Sequence, residues 1–545
     1  MNLNAPARPD RFSAPALPRD FHPGAAESTN VFPDANACRA ICPRMMKPAP
    51  RLALILVVAL FALGLLRAVP LLSHAPLLAI ANSFDQARYT GCFELFPDRP
   101  ATIRPDENSP NAPFEFYRFQ RNPVRLCYGS SELLSQAAAV AVYAVEEARG
   151  IDRHSVRWLG GLRLIVLSLL VAVFCRVWWR CGNWPAALAN AAVFALVLTD
   201  PADTLYFSTF YAEATALIAA YALFNLILLQ ACSAWSRGGA ILLALATLLL
   251  ATSKIQHLVL PLCLSVGVLA FGRWHTRRWP WQGWALLAGA VVGSVFQFAQ
   301  LGRNDLMMQS IRSFNRANIV FTGLLPAAGD PLATTRRLGL PDICASYSGK
   351  SAWQLPGLAE EVCPGMDKIG RLTVVRELLR EPMAMLRFLR NGVVVLNPWL
   401  PRNLGHVEGE ILGKLPAQFP SWNGLLDRNP WLRYLLFALP LLAALRALRR
   451  DDRFALLSLL VAILMPATFG ITIFGDGLAD VAKQGHLIFN AALGWNVAAL
   501  VLGLCALRRD RAAGSGADGV DAVELDQQLG AADVAEQHQP LRRVG

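Results

Sequence analysis

Ten apolar runs, each long enough to cross most of a bilayer as helix, leave this 545-residue chain few choices of fold. They lie at 52–72, 159–178, 184–200, 210–232, 239–252, 255–271, 282–301, 431–448, 454–473 and 487–507. In hydrocarbon each backbone N–H and C=O needs a partner inside the segment, and a helix provides it. The expected fold is an all-α polytopic membrane protein of about ten transmembrane helices, with two long extracytoplasmic loops carrying surface helices. An ordinary soluble enzyme is excluded, because only 17% of residues are charged and the mean hydropathy is +0.37.

The net charge of +12 does not point to nucleic acid. Its Arg and Lys cluster in short connections, such as Arg273 to Arg278 and Arg446 to Arg450, which is the usual mark of cytoplasmic loops. With the N-terminus inside, the connections Arg176 to Arg180, Ser236-Arg237, Arg273 to Arg278 and Arg446 to Arg453 all fall in the cytoplasm. So does the segment from Arg508 to Arg511. The two long connections, 73–158 and 302–430, then fall outside. Both termini are expected in the cytoplasm of a bacterial inner (plasma) membrane protein.

Residues 1–48 lack apolar periodicity and read as disordered, as does the tail 508–545. The membrane domain spans 49–507. Met45-Met46-Lys47 resembles a natural start, which leaves Met1, Met45 and Met46 as alternatives. The first run has a basic flank and no small-x-small cleavage site, so it reads as an uncleaved anchor. Cys92 and Cys127 share the first long loop, Cys344 and Cys363 the second. One disulfide within each loop fits, although four cysteines allow three pairings and free thiols are the alternative. Apolar positions Leu134, Ala137, Ala141 and Val145 predict a helix lying on the membrane surface. Residues 371–396 predict another, broken or kinked at Pro382.

The candidate residues for chemistry all fall at the outer ends of the spans. Asp85 follows the first span, and it is either a solvated loop acid or cap, or a general base whose proton affinity rises with burial. Arg88, one helical turn away, would oppose that rise or bind a phosphate. Glu94 and Asp98 are further acids of the same loop, and Asp200 and Asp203 read as turn residues. Glu213 is expected a turn inside the outer end of its span, where an acid is a functional candidate or an ion-pair partner. Thr252-Ser-Lys-Ile-Gln-His257 interrupts two short runs, so Lys254, Gln256 and His257 are expected to face a wet cavity. Lys254 suits a phosphate, or it snorkels to the interface. Lys483 and His486 precede the last span on the same side, and Arg312, Arg316 and Asn318 add donors in the second loop.

The stretches Ala81-Asn-Ser-Phe-Asp85, Ser208 to Glu213, Ser253 to Gln256, Phe314 to Gly323 leading to Leu338-Gly-Leu340, and His486 to Asn490 carry a resemblance. In their arrangement the chain resembles the GT-C class of membrane glycosyltransferases, and more narrowly the bacterial hexosyltransferases of surface-layer and cell-envelope glycans. The resemblance implies an inverting transfer of a hexose from a polyprenyl-phosphate donor to a glycan or lipid acceptor. It also implies an acid of the first outer loop as base, here Asp85. Glu213 would assist, and Arg88, Lys254, Gln256, His257 and His486 would bind substrate. Many relatives carry paired acids, whereas Phe84 and Gln86 flank a single one here. A divalent cation held by Asp85 and Glu213 is compatible with the pattern but not demanded by it. The other readings are a polymerase or ligase of lipid-linked glycans, and a flippase or transporter. The latter would show repeat symmetry and charged mid-helix residues, which the sequence lacks.

Overall fold

A computed structural model describes residues 51–80, 83–98, 114–121, 126–231, 235–396, 404–405 and 415–508. The expected disordered segment 1–48, with the alternative starts, lies outside these residues, as does the expected tail 508–545 except Arg508, which ends a helix. Eight helices are long and apolar enough to cross a membrane: Arg51–Leu72, Arg157–Arg180, Glu213–Gln230, Ile255–Thr276, Trp281–Leu301, Trp431–Leu448, Arg453–Asp476 and His486–Arg508. Trp184–Leu198 and Arg237–Ser253 are shorter apolar helices at two further expected positions. The chain is a polytopic all-α membrane protein. One expectation is corrected: the run after the polar turn is not short. The tight turn Ile255–His257 leads into Val259–Thr276, and together they reach 22 residues.

The helices alternate in direction, so their connections sort to two ends. At one end the basic connections meet, where Trp274 Nε1 donates to the Leu448 carbonyl (3.1 Å) and His275 Nε2 lies 2.6 Å from that of Ala447. At the other end lie both long loops. Arg157 ties that end together, donating to the carbonyls of Leu72 and His74 at 2.7 Å each and pairing with Glu115 at 2.7 Å.

The first loop contains a three-stranded antiparallel sheet, Leu95–Pro97, Phe116–Phe119 and His154–Ser155, and the helix Glu132–Ala148. That helix buries Glu132, Gln136, Ala139 and Tyr143 and leaves its apolar face outward, with Leu134 66% exposed. The second loop starts with Leu306–Ala317, widens into a π-helical turn over Asn318–Leu324, and later forms Arg371–Arg380 and Pro382–Val395. Pro382 opens the latter helix, where its missing N–H costs nothing. Leu372, Leu379, Met383 and Leu386 are left exposed, so both expected surface helices turn an apolar face away from the protein. Disulfides Cys92–Cys127 and Cys344–Cys363 staple one loop each.

Candidate functional site

The polar residues at the loop-bearing end come from helix termini and the turns between them. Asp85 lies in the first turn of Ser83–Thr90, and Arg88, one turn on, forms an ion pair with it. Lys483, from the four-residue helix Val481–Gln484, places its ammonium 2.8 Å from the other Asp85 oxygen, Oδ2, and also pairs with Asp480. The Tyr211 hydroxyl donates to the same Oδ2 at 3.4 Å, and its ring centre is 5.1 Å from Lys483 Nζ.

Glu213 is the first residue of its helix, not a turn inside it as expected. Residues 205–212 before it form turns, and buried Arg163 shapes them by donating to the carbonyls of Tyr206 (3.2 Å), Phe207 (2.8 Å) and Thr209 (2.5 Å). Arg163 also pairs with Glu132, which is fully buried and accepts from Thr215 Oγ1 at 2.6 Å and Gln136 Nε2 at 3.0 Å. Glu213, 3% exposed, receives Lys254 Nζ at 2.8 Å.

Lys254 ends the helix Arg237–Ser253 in extended backbone, and the tight turn Ile255–His257 follows. His257 Nδ1 lies 2.8 Å from Ser253 Oγ, and its ring is 6.1 Å from that of His486. Gln256 donates to Gln484 at 2.6 Å, and Gln484 donates to Asp476. Asp476 in turn accepts from Asn318 Nδ2 at 2.9 Å, while Asn318 Oδ1 accepts the Ala352 N–H at 2.8 Å. This chain of amides joins the second loop to the Lys483 segment. Gly477 permits the close approach: its φ is +65°, and a Cβ there would lie 2.4 Å from the Asn318 carbonyl oxygen.

Asp85, Arg88, Glu213, Lys254, Gln256, His257 and His486 thus converge, as does Lys483. The other candidates do not join them directly. Arg312 donates to Arg303 and Asn304, Arg316 pairs with Glu360, and Asp98 pairs with Arg118 and Arg153. Asp200 caps the helix Pro201–Thr204 and pairs with Arg67 at 3.1 Å, while Asp203 is buried and accepts from Asn490 at 2.7 Å.

The expectation that burial raises the Asp85 carboxyl is overturned. Burial does push it up, but Lys483 and Arg88 outweigh burial and hold it far below the usual carboxylate range. For Lys483, burial works against the charge, and Asp480 and Asp85 nevertheless hold it well above an ordinary lysine. The carboxylates of Asp85 and Glu213 are each engaged by lysine rather than by one another. Among the described residues no group of three or more His, Cys, Asp or Glu is placed to hold a metal, and the two acids named for a shared cation each face a lysine. Tyr211, Asp480, Asp476, Glu132 and Arg163 were not legible as site residues. Only their nearness in sequence to Glu213 and Lys483 marks the first two.

Three polar atoms near these charges are buried and have no hydrogen-bond partner among the described residues: Tyr206 Oη, His486 Nε2 and Gln256 Oε1. Next to His486 begins an intramembrane cleft of ≈ 780 Å³ counted to its open mouth. Leu198, Leu217, Val461, Leu464 and Leu487 line it, with Asn190, Tyr221, Asn225 and Asn490 as its polar groups. From Leu487 to Ala498 its wall runs about 16 Å along the helix axis.

A family model described as the YfdI N-terminal transmembrane domain matches residues 119–393, just over half of the chain. The match includes Glu213, Lys254, Gln256 and His257, while Asp85, Lys483 and His486 lie outside it. No curated protein and no solved structure matches the chain. By the extent of that match, the chain belongs to the family of the YfdI N-terminal transmembrane domain.

Proposed function

We propose that the protein is a GT-C-type membrane hexosyltransferase. It moves a hexose, with inversion, from a polyprenyl-phosphate donor to an envelope glycan or lipid acceptor. The reaction takes place on the extracytoplasmic face of the bacterial inner membrane, both termini being cytoplasmic. The observation that carries this reading is the meeting of Asp85 with Arg88, Lys483 and the Glu213–Lys254 pair, directly above an apolar cleft that opens among the spans. An anionic head group on a long hydrocarbon chain matches that combination: cations for the phosphate, a greasy slot for the chain. Tyr206 Oη, His486 Nε2 and Gln256 Oε1, buried without partners among the described residues, offer hydrogen bonds to sugar hydroxyls. Membership of a transmembrane-domain family is consistent with the reading.

In the reaction the acceptor hydroxyl gives its proton to Asp85 and its oxygen attacks the anomeric carbon. The bond from that carbon to the phosphate oxygen breaks on the opposite face, and the electron pair leaves with the polyprenyl phosphate. Lys254 and Lys483 stabilise the charge that grows there, the preorganised electrostatics on which such transfers depend. Glu213 orients Lys254, which it holds at 2.8 Å. The test is deletion of the gene in its host, followed by mass spectrometry of lipid-linked envelope glycans. One missing hexose, restored by the wild-type gene and not by Asp85→Asn, is the expected result. Unchanged glycans would overturn the proposal, and a shortened polymer would replace it with a polymerase or ligase.

A further inference from the structure

The charged side chains of the site balance one another: Arg88, Lys254 and Lys483 against Asp85, Glu213 and Asp480. Lys483 is central to that balance, because its ammonium serves Asp85 and Asp480 together. An anionic substrate entering here must compete with a carboxylate for a cation. The chemistry of the transfer settles that competition. A phosphodiester donor carries one negative charge, while a phosphomonoester leaving group carries about −1.5 to −2 at neutral pH. As the acceptor proton reaches Asp85, the carboxylate loses the charge that Lys483 and Arg88 neutralise. In the same step the electron pair of the breaking carbon–oxygen bond adds charge to the phosphate. The demand for cations therefore moves from Asp85 to the phosphate, and the total charge of the site is conserved.

We propose that Lys483 and Arg88 are handed over from the Asp85 carboxylate to the donor phosphate, so that phosphate binding is what frees the base. This rests on the glycosyltransferase reading and adds to it a gate. At rest Asp85 is latched by two cations and is a poor proton acceptor. Burial is the largest influence on it and acts upward, so once the cations turn to the phosphate, burial prevails and the carboxylate becomes a strong base. Lys483 is built for the exchange. It is a point charge on a flexible four-carbon stem, carried by a helix of four residues. Water then finds no active base in a site without donor, which limits wasteful hydrolysis.

The test is binding of farnesyl phosphate, a phosphate monoester on an apolar chain, to the full chain purified in detergent micelles. Farnesol, with the same chain and no charge, is the control. Removing the competing carboxylate by Asp85→Asn is expected to tighten farnesyl phosphate binding about tenfold, the effect of one charge contact in a partly buried site. Farnesol affinity is expected to stay unchanged, and adding Lys483→Gln should abolish the gain. Equal or weaker farnesyl phosphate binding in Asp85→Asn, or an equal gain for farnesol, overturns the exchange. Should Asp85→Asn misfold, Asp480→Asn releases the same ammonium and must give a gain in the same direction. Hexose transfer without the gain removes the gate alone. The Asp85→Asn gain beside a wild-type protein that transfers no hexose removes the enzymatic reading and leaves the anion-for-carboxylate competition standing.

Discussion

Replacing Arg163 by methionine should loosen the protein by an amount that the structure lets one work out. The guanidinium is 2% exposed and answers Glu132 together with the carbonyls of Tyr206, Phe207 and Thr209. Breaking a buried ion pair by deleting one partner costs about 3–5 kcal/mol. Two facts place this case near the lower limit. Glu132 keeps Thr215 and Gln136 as donors, and burial already pushes its carboxyl up despite Arg163, so it can take a proton instead of remaining charged. A loss of about 3 kcal/mol raises the open population roughly 100-fold. Cys175 is a buried thiol outside the disulfides, and its labelling in detergent micelles reports that opening. Arg163→Met should therefore speed labelling roughly 100-fold, and adding Glu132→Gln should recover about 1–2 kcal/mol of it through coupling of the pair. Labelling within threefold of wild type, or a double variant showing no recovery, would refute the idea that Arg163 holds the turns leading to Tyr211 and Glu213.

Asp85, depressed by its cations, contributes stability that is present above about pH 3.9 and is lost only as pH falls through its lower folded value. Lys483, raised by Asp480 and Asp85, contributes below about pH 10.4 and loses its share only as pH rises through its higher folded value. Lys483→Met should consequently lower the melting temperature more at pH 6 than at pH 3, because burial then raises the Asp85 carboxyl and acid costs the fold less. Gly494→Leu should fold, because a Cβ there meets only Val193 Cγ1 at 3.8 Å, yet fill the cleft and weaken farnesol binding about tenfold or more. Gly477→Ala should lower the melting temperature and farnesyl phosphate affinity together, since its left-handed φ costs about 1–3 kcal/mol before the clash with Asn318. A Gly477→Ala protein with both properties intact would dissociate Asn318 from the Lys483 segment.

What could be seen in the sequence, and what could not, follows from where polar groups are tolerated in such a fold. A charged residue in mid-bilayer is costly, so chemistry gathers at the ends of the spans, and runs of apolar residues expose those ends at once. That is why the positions of Asp85, Glu213, Lys254 and His486 as end residues are legible, as are the two cysteines in each long loop. Partner choice is not, because it depends on which ends the bundle brings together: Lys483 reaches Asp85 across 398 positions, and Lys254 reaches Glu213 across 41. The sign of the Asp85 shift turns on that choice. Burial and the nearby Arg88 can be inferred locally, and they oppose each other; Lys483 decides between them, and only folding brings it there. Arg163 was hidden for the opposite reason. It lies within an apolar run and looks like a residue the helix must tolerate, whereas its partner Glu132 starts a surface helix whose outward face is apolar. The pair thus fixes the two elements to each other, and the turns carrying Tyr211 are fixed with them. A site assembled from so many helix ends has its electrostatics set by assembly: the same residues in another arrangement of the bundle would leave Asp85 to its burial, a base without a latch.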